Sequence, residues 1–281
     1  MNYEKNPTAL DELEKTGYLD YEFRLFHIKD QTGKEFAYHY HDFHKVVIFL
    51  SGKVTYHVEG KAYHLRPWDI LLVNRHAIHR PDIDPSVPYE RFILWIRNDI
   101  SQEELLSCFR KANDRSYNLI RLHSQLQEKL KDILFDLENA MTASSFGKDI
   151  LQQALFWEFM VYINRIFLEK QYIFDKKSYT YDSQISNLLQ YINHHLNEEL
   201  SVDLLADKYF VSKYHLMRKF KVETGYTIHN YILSKRLLLA RTLISEGTPI
   251  LKAAAQSGFN EYSTFSRAYK KQFEKSPSDT L

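Results

Sequence analysis

The spacing of apolar residues changes twice along this chain. Over residues 21–96 they fall in short runs, 21–28, 36–40, 46–50, 54–58, 70–73 and 89–96, rich in Val, Ile, Phe and Tyr. Turn pairs separate the runs: Thr32-Gly33, Ser51-Gly52, Glu59-Gly60 and Arg66-Pro67. Many short strands at even spacing predict a closed antiparallel jelly roll. Residues 1–20 are polar, lack a period and are expected to form an arm.

From about residue 101 the period lengthens to that of a helix. Leu122, Leu126, Leu130, Ile133, Leu134 and Leu137 mark one helix over 119–141; Leu151, Leu155, Phe159, Tyr162, Ile163 and Ile166 mark another over 150–168. The loop 142–147 between them predicts an antiparallel pair. The second helix also carries Phe156, Trp157, Met160 and Phe167, so it is apolar on nearly every side and needs cover from the barrel or from a second subunit. A homodimer contact is the expectation. Residues 171–182 lack a period and read as a linker.

The last hundred residues return to short helices. A first helix is expected over 184–196, capped by Ser183 or a neighbour. Ser201 and Ser212 are placed to cap helices over 202–209 and 213–224, with Gly225 as a stop, and Leu204, Leu205, Leu216 and Phe220 supply the buried side. Thr227 opens a connector over 228–245. Thr248-Pro249, Gly258 and Pro277 punctuate a second short helix and a second long one over 261–273. An offset of about 49 residues superimposes Ala206 on Ala255, Phe210 on Phe259, Leu216 on Phe265, Arg218 on Arg267 and Lys221 on Lys270, so one helix-turn-helix unit is used twice.

Charge changes the reading of these hairpins. Between Lys208 and Lys275 stand thirteen basic residues and four acidic ones, a surplus of +9 in a chain whose formal net charge is +1. That concentration is the footprint of phosphate contact, and double-stranded DNA is the expected partner.

The run from Gly258 to Ser278, Gly-Phe-Asn-Glu-Tyr-Ser-Thr-Phe-Ser-Arg-Ala-Tyr-Lys-Lys-Gln-Phe-Glu-Lys-Ser-Pro-Ser, closely resembles the signature of AraC/XylS-type transcription regulators, and residues 212–225 resemble the other half of the same domain. Glu274 stands where that family usually has Gly. The resemblance implies base reading by Tyr214, Met217 and Arg218 on the first long helix and by Tyr262, Ser263, Ser266 and Arg267 on the second. Lys213, Lys219, Lys221, Lys270 and Lys271, near the ends or flanks of those helices, are expected at phosphates. It also implies RNA polymerase as a further partner.

Eight of the thirteen His lie in the strand-rich segment. His39-Tyr-His41 followed by Gly52, and Pro67-Trp68-Asp69 followed by His79, resemble the two blocks of the cupin fold. Metal-binding cupins set two His at i and i+2 on one strand face, add a Glu four residues on and complete the set with a distant His. Here the fourth position is Lys45, an ammonium that does not ligate a cation. His44 has odd spacing from His41 and points to the other face. The expectation is therefore an effector site without metal or cofactor: Arg24, His39, His41, Lys45, Tyr56, His79, Arg91 and Trp95 around a small molecule, a carbohydrate by analogy with AraC-type regulators. Core packing is the competing role for the aromatic residues.

Composition narrows the alternatives. One cysteine, Cys108, excludes internal disulfides and cysteine-rich zinc sites. No run of eighteen apolar residues and no signal peptide are seen, which predicts a cytoplasmic protein that does not enter a membrane. The reading is an α+β chain. A cupin-like jelly roll occupies residues 1–100, a helical dimerisation segment 101–170 and a linker 171–182; an all-α domain with two helix-turn-helix units occupies 183–281. A ligand-responsive, non-catalytic transcription regulator fits it best. The alternatives are a metal-dependent cupin enzyme fused to a DNA-binding domain and a regulator whose barrel only dimerises.

Overall fold

The computed structural model describes residues 19, 21–31 and 35–280; apart from Leu19, the expected arm lies outside them, as does the Thr32-Gly33 turn. The chain divides into two compact units. The first comprises the chain to residue 58 and residues 62–180, the second residues 59–61 and 181 onward.

Among the described residues, nine strands form two sheets, all of them in the first unit save Lys61 and Tyr181 at the ends of two strands. They are β1 (Phe23–Asp30), β2 (His44–Ser51), β3 (Val54–Val58), β4 (Lys61–His64), β5 (Ile70–Val73), β6 (His79–Ile83), β7 (Tyr89–Ile96), β8 (Leu119–Ile120) and β9 (Tyr179–Tyr181). One sheet has the order β1-β7-β2-β5-β8, the other β6-β3-β4-β9. The registers given for β1/β7, β2/β7, β2/β5, β3/β6 and β5/β8 are all antiparallel. The expected jelly-roll architecture is borne out. The run 36–40 contributes only a bridge at His39, while β4, β6, β8 and β9 are strands that periodicity does not mark.

Alternation across β2 and β7 sorts the five-stranded sheet into two faces. Val46, Ile48, Phe92 and Leu94 belong to the main core, which continues into α1 (Ser107–Arg115), α2 (Ser124–Thr142) and α3 (Lys148–Leu168). Lys45 and Trp95, and Val47 and Ile93, are cross-strand partners on the alternate positions, and Val47 also packs into the main core. The apolar surround of α3 is largely used inside this unit: Phe156 stacks on Phe23 at 4.1 Å and Phe167 on Tyr172 at 5.4 Å. Its one buried polar residue, Asn164, accepts from the Cys108 amide and donates to the Leu105 carbonyl, so it serves the first turn of α1.

Residues 171–182 are not a free connector. Asp175 pairs with Arg121, whose guanidinium also holds buried Asp69 through two bonds of 2.8 and 2.6 Å, and Tyr117 lies against Tyr172, Phe174 and Tyr179. Aromatic stacking and a shared carboxylate order a segment that has no periodicity to announce it.

In the second unit the helices are α4 (Ser183–His194), α5 (Val202–Lys208), α6 (Lys213–Thr224), α7 (Ile228–Ser245), α8 (Ile250–Gln256) and α9 (Tyr262–Phe273). Ser201, Ser212 and Thr227 cap α5, α6 and α7 as expected, and Asp182 rather than Ser183 caps α4. The all-α reading with two helix-turn-helix units is borne out. No helix of the described residues is long and apolar enough to cross a membrane.

Candidate nucleic-acid interface and imidazole cluster

The two helix-turn-helix units match through their buried residues, and the match refines the repeat. Leu205 and Ala206 are buried in α5 where Ala253 and Ala254 are buried in α8, an offset of 48; Leu216 and Phe220 in α6 correspond to Phe265 and Tyr269 in α9, an offset of 49. The turn bonds agree, since the Val211 amide donates to the Ala206 carbonyl as the Phe259 amide does to that of Ala254. Ala255 and Phe259 are thus one position off the partners a uniform 49 assigns, because the second turn is one residue longer. Leu204, expected inside, is 49% exposed.

The turns also differ in their left-handed residue. Gly258 at φ +84° lies so close to the Leu196 carbonyl that an added Cβ would stand 2.2 Å from its oxygen. Arg236 of α7 reaches the same carbonyl through Nε at 2.8 Å and donates to Glu198 O at 2.6 Å, fixing the loop after α4 against the second unit. In the first helix-turn-helix unit the left-handed residue is Phe210 at φ +54°, 96% exposed.

Every expected base reader lies on an outward face of α6 or α9. Tyr214, Met217, Arg218, Tyr262, Ser263 and Arg267 are exposed and Ser266 is half-buried, whereas Leu216, Phe220, Phe265 and Tyr269 turn inward at helical spacing. Arg267 Nε donates to the Ser263 carbonyl one turn back at 3.2 Å, which lays its guanidinium along the helix. Lys221, Lys270 and Lys271 are exposed, and Lys270 and Lys271 lie in the last turn of α9. Two of the expected phosphate lysines have protein partners. Lys213 pairs with Asp203 at 2.8 Å on the surface; Lys219 is half-buried against Asp182 at 2.7 Å and Gln184 at 3.1 Å, tying α6 to the cap of α4.

In the first unit the backbone collects three imidazoles. His39 and His79 face each other as a bonded antiparallel pair, with N–O distances of 3.1 and 2.9 Å, and His41 follows two residues after His39. Their rings stand 4.4 to 5.2 Å apart, and their ligating nitrogens all lie within 4.8 Å of one another. His39 Nδ1 lies 2.9 Å from the Ala37 carbonyl and His79 Nδ1 2.8 Å from that of Ala77. A carbonyl only accepts, so Nδ1 carries a proton in both rings. His41 is buried with neither ring nitrogen hydrogen-bonded. Burial, then the charge of Lys45, holds His41 and His79 far below the usual imidazole range, so both are neutral at neutral pH.

Lys45 Nζ sits 3.4 Å from His79 Nε2, and the Tyr56 ring lies parallel to His79 at 6.1 Å. Trp95 is 6.2 Å from His41 but belongs to a satellite core with Leu19, Phe43 and Ile93. The structure therefore joins His39, His41, His79, Lys45 and Tyr56, with Trp95 at the edge. Arg91 is engaged in a two-pronged pair with Asp30 at 2.8 and 3.0 Å, and Arg24 lies over the Phe26 ring. Phe43, stacked on His41 at 4.6 Å, is a wall residue that the spacing of the histidines does not mark. His44 points away from the cluster as expected, against Phe109 and Asn98.

Residues 205–281 match a helix-turn-helix domain family and residues 25–160 the AraC-like ligand binding domain family. Among curated relatives, the chain is 38% identical over 96 residues to the regulatory protein SoxS of Escherichia coli (strain K12), covering 34% of this chain and 90% of that protein. It is 24% identical over 248 residues to the HTH-type transcriptional activator RhaS of Citrobacter koseri, covering 87% of each. Among solved structures, the C-terminal domain of AraT, a response regulator from Geobacillus stearothermophilus, is 27% identical with a TM-score of 0.35, covering 35% of this chain and 84% of that one. A ligand-binding domain of this type followed by paired helix-turn-helix units places the chain in the AraC family of DNA-binding transcription regulators.

Proposed function

We propose that this chain reads a specific operator with α6 and α9 and alters its hold on that operator when a small molecule enters the β domain. The observation that carries the first half is the repetition of one outward face, Tyr214-Met217-Arg218 and Tyr262-Ser263-Ser266-Arg267, in a segment with a +9 surplus. Arg218 and Arg267 present forked donors that match guanine N7 and O6 together. Lys221, Lys270 and Lys271 meet phosphates, with Lys213 once its surface pair with Asp203 opens. Lys219 holds α6 to α4 instead. The connector α7, about 27 Å long at about 1.5 Å per residue, spaces the two reading helices toward successive major-groove turns.

The effector is a carbohydrate held around His39, His41, His79, Lys45, Tyr56 and Trp95, with Arg24 and Arg91 at the flanks. Aromatic faces beside imidazole donors and acceptors suit a hydroxylated ring. Phe146, Ile150, Leu151 and Trp157 are exposed around the start and middle of α3 and form the homodimer contact. RNA polymerase is the further partner at the promoter, the setting is the cytoplasm, and the chain performs no catalysis. Selection of bound fragments from genomic DNA, repeated with each member of a sugar panel, tests the whole reading: one enriched motif with two half-elements and a sugar-dependent change in affinity are expected. Sequence-independent binding would contradict the reader assignment, and indifference to every small molecule would contradict the effector assignment.

A further inference from the structure

We propose that the effector of the β domain is an acid, a sugar that carries a carboxylate, and that Lys45, His41 and Trp95 receive its charged end. The inference deepens the effector reading and rests on it.

Register across the five-stranded sheet sets up the site. Lys45 of β2 lies opposite Trp95 of β7, and Trp95 lies opposite Arg24 of β1. Directly opposed residues of antiparallel strands share a face, so an indole stands between two cationic side chains on one surface of the sheet. Lys45 is 3% exposed, and its Nζ donates to His79 Nε2 at 3.4 Å while His79 gives its Nδ1–H to the Ala77 carbonyl.

The hydrogen-bonding capacity at this place fits a hydroxylated anion. Trp95 Nε1 and both ring nitrogens of His41 are buried without a hydrogen-bond partner. An indole N–H only donates, and a neutral imidazole offers one donor and one acceptor. Leaving such groups buried and unmet is costly, and a ligand that meets them removes the cost. The two donors take carboxylate oxygens, and the imidazole acceptor takes a hydroxyl proton. A carboxylate beside hydroxyls supplies both, as in a uronic or aldonic acid.

The sign of the local field separates an acid from a neutral sugar. Among the described residues, the charges that act on His41 and His79 come from Lys45 and the neighbouring imidazoles, with no carboxylate among them. Asp30, on the same face of β1 as Arg24, is held by Arg91 through two bonds of 2.8 and 3.0 Å. A buried environment of that sign favours an anion and is indifferent to an uncharged ring.

Calorimetric titration of the full-length protein with matched ligands provides the test: D-galactose against D-galacturonate, and D-glucose against D-glucuronate and D-gluconate. At least one acid should bind about tenfold to a hundredfold more tightly than its neutral partner, and the methyl ester of that acid should lose the same factor. Lys45→Met should remove the preference, whereas Lys45→Arg, which keeps the charge, should retain most of it. Circular dichroism establishes that each variant is folded, and the comparison of acid with ester needs only the wild type. A neutral sugar that binds as tightly as its acid would overturn the inference and leave the effector reading intact. An acid preference undiminished in folded Lys45→Met would also overturn it. Failure of every sugar and every acid to bind would sink the effector reading, and this inference with it.

Discussion

Arg218 and Arg267 illustrate what a single position contributes. Both are exposed on the outward face of their helices, and replacing either by Ala should cost about 1–3 kcal/mol at the selected operator while leaving affinity for random DNA unchanged, measured by competition titration. Equal loss on both DNAs would assign them to phosphates. The left-handed residues give opposite stability effects. Gly258→Ala puts a Cβ against the Leu196 oxygen at positive φ and should destabilise the second unit by about 2 kcal/mol or more. Phe210→Gly and Glu274→Gly, at φ +54° and +58°, should each stabilise by up to about 1 kcal/mol in denaturant melts. Glu274 was legible as a departure from family usage; the strain at Phe210 was not, because the residue carries no turn signal.

Buried imidazoles also set a pH dependence. Burial is the main cause that pushes His44 down to about 3, with the Asn98 bond opposing, and His41 and His79 are lowered by burial as well. A folded-state value below the unfolded one means that the unfolded chain takes up the proton first. The stability from the neutral ring is complete above about pH 6.5 and is lost as pH falls toward 3, at a limiting slope of about 1.4 kcal/mol per pH unit for each such His. Urea melts of wild type at pH 7 and pH 5 should show this loss, and His44→Gln should flatten it.

Elements were legible where their signals were local. The helices α5, α6 and α7 begin at Ser201, Ser212 and Thr227 because a hydroxyl accepts an orphan amide of the first turn, and that signal needs only three residues of context. Strands β4, β8 and β9 were not legible, since two to four residues are too few to show alternation and β8 exists only because β5 offers its edge. The strap through residues 172–179 carries no sequence signal for a similar reason: its order comes from Arg121, Asp69 and Tyr117, all distant in sequence. The one-residue difference between the turns appears only through burial, because Ala254 and Ala255 are identical in sequence and differ in what covers them. The lysines separate at this scale too. Changing Lys221, Lys270 or Lys271 to Gln should lower the salt slope of DNA binding by about one each. Lys219→Gln should instead reduce the stability of the second unit, because its partner is Asp182 rather than a phosphate.

At the scale of the whole molecule the two units carry two different kinds of information. The reading helices were legible because the same pattern occurs twice with a charge surplus, whereas the imidazole cluster was only half legible: the spacing of His39 and His41 shows a shared face, but the pairing of His39 with His79 is a long-range contact that sequence does not display. Coupling between an effector site and DNA affinity requires only about 1–3 kcal/mol, so His41→Ala should abolish the effector response while basal operator affinity is kept. The most direct measurement is the affinity of full-length protein for its selected operator and for scrambled DNA of equal length at one fixed salt concentration, with wild type, Arg218→Ala and Arg267→Ala side by side. A wild-type preference of about a thousandfold or more is expected, reduced by about tenfold or more in each variant through loss on the operator alone. A wild type that binds both DNAs equally, or variants that lose affinity for both in parallel, would contradict sequence reading by two helix-turn-helix units.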